Sequence, residues 1–489
     1  MKHFLPKPYH FIWILTLVLL VLIGCKDEDS PTVEVPVPDF EVSQQTVLTG
    51  DEVQFTDLSS NDPVSWKWFF GDGNTSTEQN PTHTYELAGS YSVFLEATNE
   101  GGSQNVTKEN YMEVVDILTS NPKSSDFDIW VDDNVMSVYD NPDYTGISIA
   151  FIENGTISKY NYGVKERETY DLADDNTLYQ IASITKTFTG LAVIQWLNEN
   201  EISLDESVIG YLPSECASGL SLNDTQVTFR HLLNHTSGLP RNSFSLSNNN
   251  CTNSWGDSTD VYNYLSSHSL SRTPGTLPTN GELFYSNFGF AVLGTILERQ
   301  TKSSLQELYG NYIFNKIGLS STTFALPSSQ DNIALPYGGI NGGSNSSCNE
   351  IYDILEGAYE SAGGLLCNLD DLSNYVHTML SGSDDNDLNN VIDQTLENQY
   401  SSGNDLSVAL PWQITEASSG EKIYEHGGGL SGMSSYIGFN RDKNRAVVFM
   451  TNYWITDNDW LVMVNMARNY IASGAINGRI EIVEPSLKR

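Results

Sequence analysis

Hydrophobic and polar positions change their rhythm along the chain, and each change marks a new segment. Phe11 to Ile23 is an almost unbroken apolar run behind Lys2 and Lys7. It is too short to span a bilayer comfortably but fits a signal-peptide core. After a Pro/Val-rich linker over residues 26–36, residues 37–116 alternate with period two, as in Val53-Gln54-Phe55, Trp66-Lys67-Trp68-Phe69-Phe70 and Tyr91 to Ala97. Such strands bury one face and expose the other. Gly71-Asp72-Gly73-Asn74 adds a hairpin-turn signal. Short strands with regular turns predict an all-β sandwich.

A second linker, 117–123, leads into the large segment 124–475, followed by a tail over 476–489. Phe127, Val131, Val135 and Val138 share one face of an amphipathic helix over Asp126–Tyr139. Gly146–Ile152 and Thr156–Tyr162, joined at Asn154-Gly155, predict a hairpin. Leu191, Val193, Ile194, Trp196 and Leu197 predict a further helix, and Ser435 to Phe439 and Ala446 to Asn452 late strands. Strands, then helical and loop segments, then strands again predict an α/β (α+β) domain whose sheet uses both ends of the segment.

Composition narrows the function classes. Among 489 residues, 62 Asp and Glu outnumber 24 Lys and Arg, giving a net charge of −38. A phosphate polymer is repelled by such a surface, so nucleic-acid binding is excluded. The apolar run ends Leu22-Ile23-Gly24-Cys25, which resembles a bacterial lipobox. The resemblance implies cleavage before Cys25, acylation of its sulfur and a lipid-anchored envelope protein facing the periplasm or the cell surface. Lys26-Asp27-Glu28-Asp29 resembles the surface-export tag of some Bacteroidetes lipoproteins. Cys216, Cys251, Cys348 and Cys367 remain, an even number for an oxidising compartment. Of three possible pairings, proximity favours Cys216–Cys251 and Cys348–Cys367. His231 and His235 are four apart but lack a third ligand, and nothing implies a metal or organic cofactor.

Three short stretches carry candidate chemistry. In Gln180-Ile181-Ala182-Ser183-Ile184-Thr185-Lys186, a serine stands at a helix start with a lysine three residues on. That spacing places Lys186 on the face of Ser183, where an amine can activate the hydroxyl. Phe284-Tyr285-Ser286-Asn287 offers a phenol whose pKa a neighbouring ammonium can lower, and an amide able to hold a substrate or orient the lysine. Glu425-His426-Gly427-Gly428-Gly429 places a titratable donor ahead of glycines that permit close backbone approach. Singly, none is specific: Ser-x-x-Lys recurs at Ser120/Lys123 and Ser419/Lys422, and Tyr-x-Asn at Tyr139 and Tyr309.

Two resemblances follow. Trp66 to Gly73, Asn80-Pro81-Thr82-His83-Thr84-Tyr85, Gly89-Ser90-Tyr91 and Ala97-Thr98-Asn99 resemble a PKD domain. This implies an immunoglobulin-like sandwich that acts as a spacer or contacts a glycan or protein, with Trp66, Trp68 and Tyr85 largely in its core. The three catalytic stretches resemble the serine β-lactamase/penicillin-binding-protein superfamily, in its class C-like branch of D-Ala-D-Ala carboxypeptidases, D-aminopeptidases and esterases. The likeness extends through Leu204-Asp205, Val208, Tyr211-Leu212-Pro213, Thr228 to Leu239, Ala362-Gly363-Gly364-Leu365 and Gly438-Phe439-Asn440.

The second resemblance implies a multidomain chain ending in a β-lactamase/transpeptidase-like domain with an antiparallel sheet and a helical subdomain. It further implies Ser183 as acylated nucleophile, Lys186 as an aid to proton removal and Tyr285 as proton shuttle to the leaving group, and it leaves open which base takes the first proton. Asn287 and Gly428 would contact substrate, His426 would stand where β-lactamases carry lysine, and the N–H groups of Ser183 and Gly429 would form the oxyanion hole. The expected reaction is hydrolysis of an ester or amide, with D,D-carboxypeptidase or β-lactamase action and a catalytically silent binding protein as the alternatives. His426 in place of lysine weakens the receptor for a substrate carboxylate and tilts the reading away from β-lactams. Pro274-Gly275 lies farther upstream of Tyr285 than usual, and Ser245 to Ser258 and Gly338 to Ser347 resemble loops that shape the cleft.

Overall fold

The computed structural model describes residues 33–115, 121, 124–138, 146–166, 171–243, 256–278, 283–328, 332–337, 357–403, 406–417, 420–430, 432–453, 455 and 457–474. The apolar run, Cys25, Cys251, Cys348, Ser120, Lys123, Tyr139 and Ser419 lie outside them. Among the described residues, no helix is long and apolar enough to cross a membrane. The chain divides into two units, Met1–Asp116 and Ile117–Arg489.

The first unit is a sandwich of two sheets. Strands β1 (Phe40–Val42), β3 (Glu52–Asp57) and β6 (Thr82–Thr84) form one, in the order β1-β3-β6. The other contains β2 (Thr46–Leu48), β8 (Gly102–Val115), β7 (Gly89–Asn99), β4 (Ser65–Phe69) and β5 (Thr75–Ser76), in that spatial order. Alternate residues Val93, Leu95 and Ala97 point inward, as the period-two pattern requires. Trp68 and Tyr85 are fully buried, and each satisfies its polar tip: Trp68 Nε1 donates to Glu78 O at 2.9 Å and the Tyr85 hydroxyl to Phe70 O at 3.0 Å. Trp66 differs from the expected core role. It is half-buried at the edge of the core and donates to Asp57 Oδ2 at 2.7 Å.

The second unit is built on an eight-stranded antiparallel sheet whose strands come from both ends of the segment. They are β9 (Ile147–Glu153), β10 (Thr156–Tyr162), β11 (Tyr400–Gly403), β12 (Leu406–Val408), β13 (Gln413–Glu416), β14 (Lys422–Leu430), β15 (Met433–Asn440) and β16 (Arg445–Thr451). Their order is β10-β9-β16-β15-β14-β13-β12-β11. The β9–β10 turn sits at Asn154 and Gly155, with φ of 51° and 83°. Two consecutive left-handed residues of this kind give a tight turn its hairpin twist. Register between β9 and β16 sets Glu153 opposite Arg445, which pair at 2.6 Å.

Both faces of the central strands are covered, so Val447-Val448-Phe449-Met450 reads as a continuous apolar run. Ile149, Phe151, Val447 and Phe449 face α1 (Asp126–Met136) and the C-terminal helix Asp457–Ser473. Ala150, Ile152, Ala446, Val448 and Met450 face the main core. At the centre of that core lies α2 (Thr185–Glu199), every residue of which from Thr185 to Leu197 is buried. A helix buried on every side belongs inside a large domain, and α2 fixes the position of the serine just ahead of it.

Cys251 and Cys348, the expected disulfide partners of Cys216 and Cys367, lie outside the described residues. Cys216 and Cys367 are buried free thiols. Cys216 packs in the main core, and burial pushes its thiol up to about 11. Cys367 lies 3.2 Å from the Thr322 hydroxyl, and burial raises its pKa further. Both sit in the packed interior of the second unit.

Candidate active site

Ser183 stands in a single 3-10 turn, Ala182–Ile184, directly ahead of α2 rather than in its first α-helical turn. Ala182 before it has a φ of 47°, a conformation rare for residues with a Cβ, of the sort stored at functional sites. The turn is clamped to the sheet, since Ser435 Oγ on β15 donates to Ile181 O at 2.8 Å. Gly428 on β14 makes the clamp possible. A Cβ there would meet Ser435 Oγ at 2.2 Å and Ile181 O at 2.5 Å. Gly428 therefore acts by letting the Ser183 turn approach. A Gly428→Ala variant is expected to displace Ser183 and lose about a hundredfold in kcat/KM, with the fold retained by circular dichroism. Unchanged kinetics would remove this role.

Lys186 lies one turn on and is wholly buried. Its Nζ donates to Ser183 Oγ at 3.1 Å and to Ala362 O at 2.6 Å. The segment that supplies Ala362 is pinned to α2, because Thr189 Oγ1 donates to Ser361 O at 2.6 Å and the Leu365 N–H to Thr185 Oγ1 at 3.2 Å. Burial first, and the positive charge of Arg241 second, push the Lys186 amine well below its ordinary value. Among the described residues no carboxylate is paired with it, which leaves the amine with a weakened hold on its proton.

Tyr285 precedes α4 (Asn287–Thr301), which follows the short helix α3 (Phe229–Leu233) in the chain, and Ser286 caps α4 by accepting from the Gly289 N–H at 2.9 Å. The phenol is hydrogen-bonded with Ser183, and Lys186 Nζ lies 4.9 Å from its ring centroid. The expected lowering of its pKa does not occur. Burial raises it, outweighing the hydrogen bond with Ser183 and the nearby Arg241, so Tyr285 stays a neutral phenol. Asn287 is half-buried at the cleft edge and donates to Asn242 Oδ1 at 2.9 Å; the hydrogen-bond partners of Lys186 are Ser183 and Ala362 instead.

His235 was not identified from the sequence as part of this site. It has a φ of 62°, stacks on Tyr285 with ring centroids 4.5 Å apart and accepts from the Ser286 N–H at 3.1 Å. It thereby holds the residue after Tyr285 and one face of its ring. His231 has another task, since it completes a capping box with Thr228 at the start of α3. Only tertiary contact separates the roles of these two histidines.

The third stretch forms β14. Alternation sends Ile423, Glu425 and Gly427 to one face and His426 and Gly428 to the other, where Gly428 meets the Ser183 turn. The His426 ring lies 6.3 Å from that of Tyr285. Its Nδ1 is 2.8 Å from Gly427 O, and its buried Nε2 has no hydrogen-bond partner. Burial first, and Lys186 second, push the imidazole down to about 3, so it is neutral. Behind it, Glu425 and Arg468 form an ion pair that is 1% exposed on each side. Ser183, Lys186, Tyr285, His426 and Gly428 are thus brought together, and Gly429 follows on the same strand.

These elements agree with comparisons to known proteins. The sequence matches the Beta-lactamase family over residues 131–462 and the PKD domain over residues 31–114. Protein flp of Staphylococcus aureus strain MW2 is 26% identical over 320 residues, covering 63% of this chain and 59% of that protein. A beta-lactamase of Providencia stuartii is 26% identical over 254 residues, covering 50% of this chain and 58% of that protein. The chain thus spans about three-fifths of the length of these curated relatives. A solved class C beta-lactamase has a TM-score of 0.60 at 21% identity, covering 72% of this chain and 98% of its own. The Beta-Lactamase/D-Alanine Carboxypeptidase from Pseudomonas syringae has 0.58 at 22%, covering 72% and 99%. With the family match running from α1 to the C-terminal helix and enclosing all three motifs, the chain belongs to the Beta-lactamase family and carries a PKD domain ahead of its hydrolase-superfamily fold.

Proposed function

We propose that this protein hydrolyses an ester or amide, such as a D-amino-acid peptide bond, through an acyl-enzyme on Ser183. The observation that carries this reading is the buried Lys186 Nζ at 3.1 Å from Ser183 Oγ, with its pKa held well below that of a free amine. Lys186 takes the hydroxyl proton as Oγ attacks the carbonyl carbon. The N–H groups of Ser183 and Gly429 receive the oxyanion, donors of a kind that contribute about 10²–10³ in rate. Neutral Tyr285 donates its proton to the departing oxygen or nitrogen and regains one from Lys186. Water then attacks the acyl carbon, with the same groups acting in reverse. The half-buried Asn287 amide, hydrogen-bonded to the exposed Asn242, is the group that would hold a substrate carbonyl.

Neutral His426 supplies no positive charge on β14, which favours esters and peptides over β-lactams. The second reading, D,D-carboxypeptidase or β-lactamase action, is kept because a structural relative carries both names. Steady-state assays with a p-nitrophenyl ester, a D-Ala-D-Ala peptide and nitrocefin separate them. Turnover of the ester well above that of nitrocefin is expected; preferential turnover of the D-Ala-D-Ala peptide favours a D,D-carboxypeptidase, rapid nitrocefin turnover a lactamase, and no turnover of any substrate overturns the hydrolase reading.

The envelope anchor is likewise proposed, on the apolar run ending at Cys25. Mass analysis of the mature N-terminal peptide should find a diacylated Cys25, and an unmodified N-terminus would refute it. For the PKD domain, a spacer role is favoured because Trp68 and Tyr85 are spent on its core; glycan-array or pull-down binding by the domain would point to an adhesive one.

A further inference from the structure

The sequence suggests that the loss of a lysine at position 426 leaves a substrate carboxylate without a receptor. The cleft holds another cation. Arg241 is exposed, and its guanidinium carbon lies 5.1 Å from the Tyr285 ring centroid. Its carbonyl accepts from the N–H groups of Asn287 and Phe288 at 2.9 and 3.2 Å, which pins the residue to the start of α4 beside Tyr285. Arg230, Arg441, Arg445 and Arg468 are each ion-paired with a carboxylate. Among the described residues none is paired with Arg241, in a chain where acidic residues outnumber basic ones 62 to 24.

Its field reaches the reacting groups, since it acts on Lys186, Tyr285 and His235. Lys186 and His426, the cationic candidates of the catalytic stretches themselves, are unsuited to an incoming anion. Lys186 is wholly buried and committed to Ser183 and Ala362, and His426 is 1% exposed and neutral.

We propose that Arg241 is a specificity-determining residue that receives a carboxylate of the substrate, so that this hydrolase acts on anionic esters or amides. The inference rests on the acyl-enzyme reading of Ser183 and adds its substrate class. A guanidinium presents parallel N–H donors that match a carboxylate in two-pronged fashion. Set against the Tyr285 ring, it is pre-oriented and keeps the side chain's charge at the cleft rather than in solvent. The recognition depends on that fork being free, and among the described residues no carboxylate occupies it.

Reversible boronate inhibition tests this on the full-length protein. Phenylboronic acid and its 3- and 4-carboxy derivatives all form a covalent bond between boron and a serine oxygen, and they differ in carrying a negative charge. Inhibition constants are measured against a neutral p-nitrophenyl ester for the wild type, Arg241→Ala and Arg241→Lys. The wild type is expected to bind one carboxylated boronate about tenfold or more tightly than phenylboronic acid, with the preference shrinking in high salt. Arg241→Ala should reduce the ratio to about one while still binding phenylboronic acid, which shows that it is folded, and Arg241→Lys should restore part of it. Equal ratios in wild type and Arg241→Ala would overturn the proposal while leaving the hydrolase reading intact. Failure of phenylboronic acid to bind folded wild-type protein would instead overturn the acyl-enzyme reading, and this proposal with it.

Discussion

Replacing Lys186 by methionine is expected to lower acylation of Ser183 by about 10³–10⁴-fold, the upper range for removal of a positioned general base. The side chain is wholly buried and its nitrogen lies 3.1 Å from the attacking oxygen, so solvent cannot readily substitute for it. Methionine keeps the volume and removes the amine. In the wild type, kcat/KM on a neutral ester should rise with pH as Lys186 loses its proton, with a midpoint well below the ordinary 10.5. His426, at about 3, adds no inflection near neutrality, and the raised Tyr285 phenol keeps its proton to high pH. The variant's residual activity should lack the Lys186 limb.

Linkage gives the same substitution a second signature. Between the folded and unfolded pKa values of Lys186, the unfolded state binds more protons, so stability rises with pH through that window and the lysine is a liability below it. Lys186→Met should therefore unfold at no lower urea concentration than the wild type at neutral pH. A variant that is inactive because it is unfolded would fail that check.

The other large effect concerns stability. Truncating Arg468 to methionine is expected to cost about 3–5 kcal/mol, because Glu425 would be left charged in the interior. Arg468 Nε and Nη2 bond the two carboxylate oxygens at 2.9 and 2.6 Å, Tyr436 donates to Oε2 at 2.7 Å, and the Thr415 hydroxyl completes the shell. Burial alone would raise the Glu425 carboxyl; the guanidinium and hydroxyl donors hold it below its ordinary value instead. The stability it contributes is thus present above the unfolded carboxylate pKa and is lost as pH falls through the lower folded one. Replacing both partners, Glu425→Leu with Arg468→Met, should recover most of the loss in urea unfolding. Additive losses in the double variant would contradict this account. Because Glu425 precedes His426 on β14, the single variant should also blunt activity.

Local chemistry made much of this protein legible in advance. Asn154-Gly155 announced a hairpin because that turn needs two left-handed residues, and they are the ones found there. Ser183, Lys186, Tyr285 and His426 could be named because their motifs carry the chemistry within a few residues each. What escaped depended on contacts remote in sequence. His235 meets Ser286 across 51 residues, and Arg468 meets Glu425 across 43. No periodicity reports such pairings. Tyr285 was misjudged for a related reason: its neighbours' charges could be read from the motif, but the burial that outweighs them could not. The cysteines show the limit of counting, since the burial of Cys216 and Cys367 in the core could not be read from their spacing.

The most direct test of the account is covalent labelling of the nucleophile. The soluble chain from near Lys26, its Ser183→Ala variant and its Lys186→Met variant would be treated with a fluorophosphonate and read by intact mass and peptide mapping. The account predicts one adduct per wild-type molecule, on Ser183, absent from the alanine variant and formed far more slowly in the methionine variant. A folded wild-type protein that takes up no label, or takes it elsewhere, would contradict it.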